Sequence, residues 1–403
     1  MAIVKPFVCI RPDVKYADKV AALPYDVYDR KEAKAAVQNN ALSFLNIDRP
    51  ETQYPDDFDM YSEKAYETAR DLLAFQIKDG IYVTEKEPAY FVYELTMNGR
   101  AQTGIVACCA VSDYVNGVIK KHENTLAAKE QDRIRHIRTV GAQTGPIFLA
   151  YRKNETLADI LAVTRTNTPL YDFVSDDGIS HRVWKIHPDF RETIENTFAG
   201  INEIYIADGH HRAASAVKVA LETGREDETF LSVLFADDEL RILPYNRALK
   251  DLNGRTKEEF LTEISKIYDV CECSQAVEPA AHGHVGMYLD GQWYELTLKP
   301  EFASDDPVKC LDVSRLQDLV LAPLFGIDDP KTNPRISFVG GIRGVKELER
   351  LVDSCGYAVA FSMYPTQMSE LLAVADAKLL MPPKSTWFEP KLRSGLFIHR
   401  LGE

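Results

Sequence analysis

Ile204-Tyr205-Ile206-Ala207-Asp208-Gly209-His210-His211-Arg212 decides how the chain is read. Its first four residues are apolar, with two β-branched side chains and one aromatic, and predict a short buried strand. Asp208 puts a polar group at the strand end, and Gly209 can take backbone conformations closed to other residues. An amphipathic run follows from His210 to Leu221, and Gly224 closes it as a helix end. A helix opened in this way leaves its first amides without backbone partners and carries the positive end of its dipole. That is a ready anion site, and the missing Cβ of Gly209 lets a phosphate approach the main chain. Arg212 adds a planar donor fork, while His210 and His211 can donate or exchange protons. Asp208, Gly209, His210, His211 and Arg212 are therefore the expected phosphate binders, with His210 and His211 also catalytic candidates. A plainer reading, a helix capped by Asp208, leaves the clustering of two histidines and an arginine on one turn unexplained.

Outward from this unit, strand-like runs alternate with amphipathic helices, and no internal repeat is visible. Asn98-Gly99, between runs at Ala89–Met97 and Thr103–Val111, is the strongest hairpin signal in the chain. Helices are expected over Tyr61–Asp79, Thr125–Val140, Pro188–Phe198, Lys257–Tyr268 and Ser314–Phe325, and a second hairpin around Asp290-Gly291. The mixture of hairpins with strand–helix units predicts an α+β protein. Residues 1–245 read as one domain and 246–403 as an α/β section whose tail loop returns to the site.

Two further segments carry chemistry. Lys120-Lys121-His122-Glu123-Asn124-Thr125 leads into the helix ending at Val140. Residues 120–138 hold six Lys or Arg against three Asp or Glu, in a chain of net charge −14. Ile134, Ile137 and Val140 make that helix's buried stripe, and His122 and Arg133 are expected in an anion-binding wall. Glu123 is the expected general base on a substrate hydroxyl, unless it only pairs with a neighbouring lysine. His122-Glu123 begins like a zinc HExxH, but position 126 is leucine, so a metalloprotease is excluded. The second segment, Met381 to Lys391, is an extended proline-containing loop; Lys384, Ser385 and Thr386 give it a cation and two hydroxyls suited to a ligand.

The 403 residues are 45% apolar and 27% charged, the balance of a globular protein with a sizeable core. Acidity opposes a general nucleic-acid binder. No run approaches the roughly 18 apolar residues of a membrane helix, and Met1 to Arg11 reads as an edge strand rather than a signal peptide. The expected compartment is the cytoplasm. Seven cysteines without CxxC spacing read as reduced core residues. Neither GxxxxGK[ST] nor GxSxG occurs. His282-Gly283-His284 lacks a nearby third ligand, and Gly340-Gly341-Ile342-Arg343-Gly344 lacks dinucleotide spacing.

At Asp208–Arg212 the sequence resembles the ParB/sulfiredoxin-like superfamily, where this turn is the nucleotide-phosphate site; free serine kinases carry the same DGHHR string. The whole chain is similar to domain-of-unknown-function family 1015. The likeness rests on Leu23-Pro24-Tyr25-Asp26-Val27, His122–Thr125, Ile204–Arg212, Ile242-Leu243-Pro244 and Met381–Lys391, in the family's order. The resemblance implies a ParB/sulfiredoxin-like nucleotide-binding core of mixed sheet and flanking helices. It also implies a nucleotide-dependent kinase for a small hydroxylated metabolite, free L-serine first, using ATP or ADP with Mg²⁺. In the kinase relatives an acidic residue activates the serine hydroxyl; Glu123 is the first candidate here and Asp26 the reserve. Ala213 stands where these relatives often place an aromatic, which removes stacking at that position. A nucleotide-binding sensor, like ParB-type switches, is the competing reading. Sulfiredoxin-like reduction needs a cysteine in the turn, and none lies between Asp208 and Arg212.

Overall fold

Asn98 and Gly99 both take positive φ, +51° and +78°, as a two-residue hairpin turn requires. A computed structural model describes every residue except 126, 225–227 and 403. The chain forms two compact units, Met1–Leu240 with Pro390–Glu403, and Arg241–Glu389. The division thus falls before residue 245, and the segment from Pro390 folds with the first unit instead of staying with its sequence neighbours. Its partners lie far upstream: Ser394 bridges Ala22, and Ile398 pairs with Ile10. Local pattern carries no trace of such pairings.

Among the described residues nine strands form the main sheet of the first unit. They are β1 (Val4–Lys5), β2 (Phe91–Met97), β3 (Arg100–Ala110), β4 (Ile119–Lys120), β5 (Ile147–Tyr151), β6 (Tyr171–Val174), β7 (Ser180–Lys185), β8 (Ile204–Asp208) and β9 (Thr229–Ala236). The order is β4-β8-β5-β9-β3-β2-β7-β6, with β1 paired to β3 off that path. Two pairs, β8 with β4 and β9 with β5, are parallel and the others antiparallel, so the expected mixed sheet is present. All five residues of β5 are buried, which explains its unbroken apolar run. Helices flank the sheet, chiefly α1 (Glu63–Lys78), α2 (Ala127–Val140) and α3 (His210–Thr223). Ile134 and Ile137 of α2 and Ala216, Val217 and Ala220 of α3 share a core with Ile147, Leu149 and Ile206. Ile134 and Ile137 of the stripe expected on α2 are buried, Val140 is half-buried against a different cluster, and the helix also buries Glu130, Arg133 and His136. No helix among the described residues is long and apolar enough to cross a membrane.

The second unit carries a six-stranded sheet: β10 (Tyr245–Leu249), β11 (Tyr268–Cys273), β12 (His284–Leu289), β13 (Gln292–Leu298), β14 (Ile336–Gly340) and β15 (Val359–Met363). All its pairings are antiparallel, so the later section is α+β rather than α/β. Asp290-Gly291 makes the expected hairpin between β12 and β13. The helix read as Lys257–Tyr268 stops at Ile264, and Tyr268 begins a strand opposite Leu298. Tertiary pairing there overrides the helical pattern. The helix read as Ser314–Phe325 is interrupted around Gln317–Leu321, just before Pro323, which has no amide to donate.

Gly104 shows how tightly the main sheet packs: a Cβ there would sit 2.8 Å from side-chain carbons of Phe235 and Val233 and 2.9 Å from the Leu234 carbonyl. Gly104→Ala is expected to destabilise the protein by about 1–3 kcal/mol, read as a lower urea midpoint.

Candidate functional site

Parallel strands end at the same edge of a sheet. With Ile204 opposite Ile119 and Tyr205 opposite Lys120, the segment after β4 leaves beside Asp208. On the other side β5 runs antiparallel, and its register with β8 shifts between Ile206 and Asp208. That irregularity ends the ladder and re-aims the last residue of β8. Gly209 then takes φ +92° and ψ +31°, left-handed, as the N-cap of α3. No side chain caps the helix, so its first amides point out of the turn unclaimed by a cap. Arg212 folds back over this turn: a Cβ on Gly209 would lie 3.0 Å from its Nε and Nη2. Its Nη1 donates to the Pro146 carbonyl at 2.6 Å, tying the turn to the loop that leads into β5.

Asp208 sits among cations. Burial pushes its carboxyl up, but the Lys391 ammonium and the Arg212 guanidinium outweigh that and hold it well below the usual carboxylate range. Lys391 Nζ donates to Oδ2 at 2.8 Å and the Gly209 amide to Oδ1 at 2.8 Å. His122 and His210 meet edge to face, with centroids 4.5 Å apart. The His122 amide donates to His210 Nε2 at 3.4 Å. His122 is 1% exposed, and both of its ring nitrogens are buried outside hydrogen-bond geometry with any partner among the described residues. Burial lowers its imidazole to about 4, against the pull of Asp208 and of the Ile206 backbone. Burial, and then the charge of His122, push His210 well below its ordinary value too. Both histidines are neutral in the fold.

A cleft of about 300 Å³ opens in the same unit, walled in part by Tyr25, Asp26, Arg30, Lys129, Asp132 and Arg133. A narrower cavity reaches Arg212 and shares Tyr25, Asp48 and Arg133 with it, so those three residues form the wall between them. The loop carrying Tyr25 is clamped by Arg49, which donates to the Tyr25 and Tyr28 carbonyls at 3.0 and 2.8 Å while paired with buried Glu51 at 2.5 Å. Arg133 is buried, stacks on Tyr25 at 4.0 Å, pairs with Asp132 at 2.8 Å and reaches the Asp48 carbonyl. Arg133 thus stands in the wall of both cavities, with Asp132 as its ion partner.

The structure brings His122, Asp208, Gly209, His210 and Arg212 together. His211 follows on α3, half-buried, its carbonyl accepting from Ser215 Oγ at 2.7 Å. Glu123 is half-buried on the same segment as His122 and is not among the residues lining the cleft, whereas Asp26 is. Lys384, Ser385 and Thr386 belong to the second unit. There Ser385 Oγ donates to the Pro382 carbonyl at 2.6 Å, and Lys384 lies over the Tyr245 ring at 5.5 Å. Lys391 was missed as a partner of Asp208, although it closes the segment singled out in the sequence. Among the described residues no group of three or more His, Cys, Asp or Glu is placed to hold a metal. His282 lies near Asp312 and Glu370 instead, at 3.3 and 3.6 Å.

The family model described as Protein of unknown function (DUF1015) matches residues 4–314. The chain belongs to that family. No curated protein matches it. Among solved structures it is similar to a free serine kinase in complex with AMP, with 14% identity and a TM-score of 0.36, covering 72% of this chain and 91% of that one. A conserved hypothetical protein from Pyrococcus furiosus is 16% identical, with a TM-score of 0.35 and coverages of 73% and 94%. SbnI with C-terminal truncation from Staphylococcus aureus is 11% identical, with a TM-score of 0.39 and coverages of 72% and 87%.

In this family member buried neutral histidines make stability pH-dependent. Burial lowers His122 to about 4, His399 to about 4 and His181 to about 3. Unfolded histidine titrates near 6.5, so their stabilisation is whole above that pH and is lost as pH falls toward the folded values. Three such groups give a slope of up to about 4 kcal/mol per pH unit below roughly pH 6. Urea midpoints should fall steeply between pH 7 and pH 5; a flat profile would show that these rings are protonated in the fold.

Proposed function

We propose that the chain is a cytoplasmic, nucleotide-dependent phosphotransferase with a ParB/sulfiredoxin-like core, acting on the hydroxyl of a small metabolite, with L-serine the first candidate. The observation that carries this is the uncapped terminus of α3 behind left-handed Gly209, with Arg212 folded over it. Its amides and guanidinium suit the phosphates of ATP or ADP, and phosphoryl transfer asks mainly for positioning and charge neutralisation. The DGHHR string shared with free serine kinases supports a nucleotide as the phosphate carrier. In this reading His122 lies behind the phosphate position, and neutral His210 lies beside it without adding to its positive charge, while His211 follows on the same turn.

The residues fit a Mg²⁺ ion that arrives on the nucleotide, since such an ion keeps its waters and needs only one or two carboxylates; Asp208 would hold it. When bound, the ion would offset charge on the phosphate oxygens. The general base is a carboxylate, and the cleft favours Asp26 over Glu123. Asp26 lines the cleft, is exposed, and has no hydrogen-bond or ion partner among the described residues. In this reading it takes the hydroxyl proton as the oxygen attacks the terminal phosphorus.

Phosphorus NMR of the protein with Mg²⁺, ATP or ADP, and L-serine is expected to show phosphoserine forming catalytically. Nucleotide that binds and stays intact, even with a pool of other hydroxylated metabolites, would favour the sensor reading. Arg212→Ala should weaken nucleotide binding at least tenfold, the loss of one charge-assisted contact of roughly 1.5–3 kcal/mol. Asp26→Asn should cut turnover by roughly 10²–10⁴ while leaving nucleotide affinity unchanged, and Glu123→Gln should not. The opposite pattern in these two variants would return the base to Glu123.

A further inference from the structure

We propose that Arg393 is a positioning residue, locking the segment 390–395 so that Lys391 meets Asp208. Its guanidinium, 3% exposed, fills a socket made by the turn after β6 and the start of β7. Nη2 donates to Asp177 Oδ2 at 2.5 Å and to Ser175 Oγ at 3.1 Å, and Nε donates to His181 Nε2 at 3.3 Å. His181 is itself fixed, with its Nδ1 at 2.8 Å from the Tyr93 hydroxyl and its ring stacked on Phe173. Burial and the adjacent guanidinium keep this imidazole neutral, so Nε2 is free to accept.

Lys391 stands two residues before this anchor, and the two residues that follow the anchor are held by backbone contacts. The Ser394 amide donates to the Ala22 carbonyl at 2.8 Å, and Ala22 returns the bond at 3.2 Å. The Gly395 amide donates to the Thr144 carbonyl at 3.2 Å. Ala22 leads directly into the Tyr25–Asp26 loop, and Thr144 into the Gly145-Pro146 loop that receives Arg212. One short segment therefore touches three parts of the site: the turn through Lys391, the cleft loop through Ser394, and the Arg212 loop through Gly395. A long ammonium side chain loses up to about 2 kcal/mol of rotamer entropy when ordered, so Lys391 stays on Asp208 only while its backbone is fixed. Arg393 supplies that fixation through a forked, buried contact that a lysine cannot reproduce.

The test has an arm that needs no nucleotide. In ligand-free protein, the rate at which an amine-acylating reagent modifies Lys391 is followed by mass spectrometry. Arg393→Ala and Asp177→Asn should each raise it at least fivefold, Arg393→Lys less, with exposed Lys78 unchanged in all three. Asp177→Asn acts on an exposed residue and leaves no core hole, so it reports even where Arg393→Ala does not fold. Equal Lys391 rates in wild type and Asp177→Asn overturn the proposal. A second arm rests on the phosphate-binding reading. Asp177→Asn and Lys391→Ala should each weaken ADP binding about tenfold, while the double variant binds no more weakly than Lys391→Ala alone, because Arg393 acts through Lys391. Losses that multiply would mark Arg393 as structural only and overturn the proposal. Wild-type protein that binds no ADP sinks the phosphate-binding reading, and the acylation rates still decide the role of Arg393.

Discussion

The left-handed backbone of Gly209 is the constraint on which the site depends. A residue with a Cβ at φ +92° is strained by about 1–2 kcal/mol, and here it would also press on the Arg212 guanidinium. That one conformation turns β8 into α3 within a single residue, so the helix opens directly against the sheet edge. It leaves no room for a capping side chain, and the helix amides are kept for something else. Arg212 can fold over the turn because nothing projects from Gly209.

The electrostatics follow from the same geometry. Asp208 ends a buried strand, and an isolated carboxylate there would be neutralised or expelled. Arg212 and Lys391 keep it ionised, so the turn combines a cationic rim with one anchored negative charge. His122 and His210 are the counterweight: packed ring to ring in the same pocket, they stay uncharged and avoid repulsion with the rim. Two cations are thus geometrically fixed against one carboxylate at the turn.

Elements governed by local chemistry were legible in the sequence. The two hairpins at Asn98-Gly99 and Asp290-Gly291, the strand Ile147–Tyr151, the Ile134 and Ile137 stripe and the strand–Gly209–helix unit all follow from turn chemistry and periodicity. Of the site, the turn was legible because its signal is contiguous. The ion pair of Arg133 with half-buried Asp132 was not legible, because a helical arginine looks the same in sequence whether it faces solvent or an adjacent carboxylate. Tyr268 was read as a helix end and the strand Tyr268–Cys273 it begins was not read, because its support among the described residues is pairing with β13.

Lys391 was hidden for a different reason, which says something about how the site forms. Its contact with Asp208 spans 183 residues, and Ile398 lies opposite Ile10 across most of the chain. Closing loops of that length costs entropy before any contact is gained, although the cost grows only slowly with length. Such closures are favourable once the partners are already in place: Gln143 and Thr144 at the end of one short strand, Cys9 in another, Ala22 further along, and the Asp177 turn. The segment from Pro390 therefore docks onto a surface made by elements that can form without it. The Asp208–Arg212 turn is built by local rules, and Lys391, one of the cations that hold Asp208 ionised, arrives with a contact spanning 183 residues.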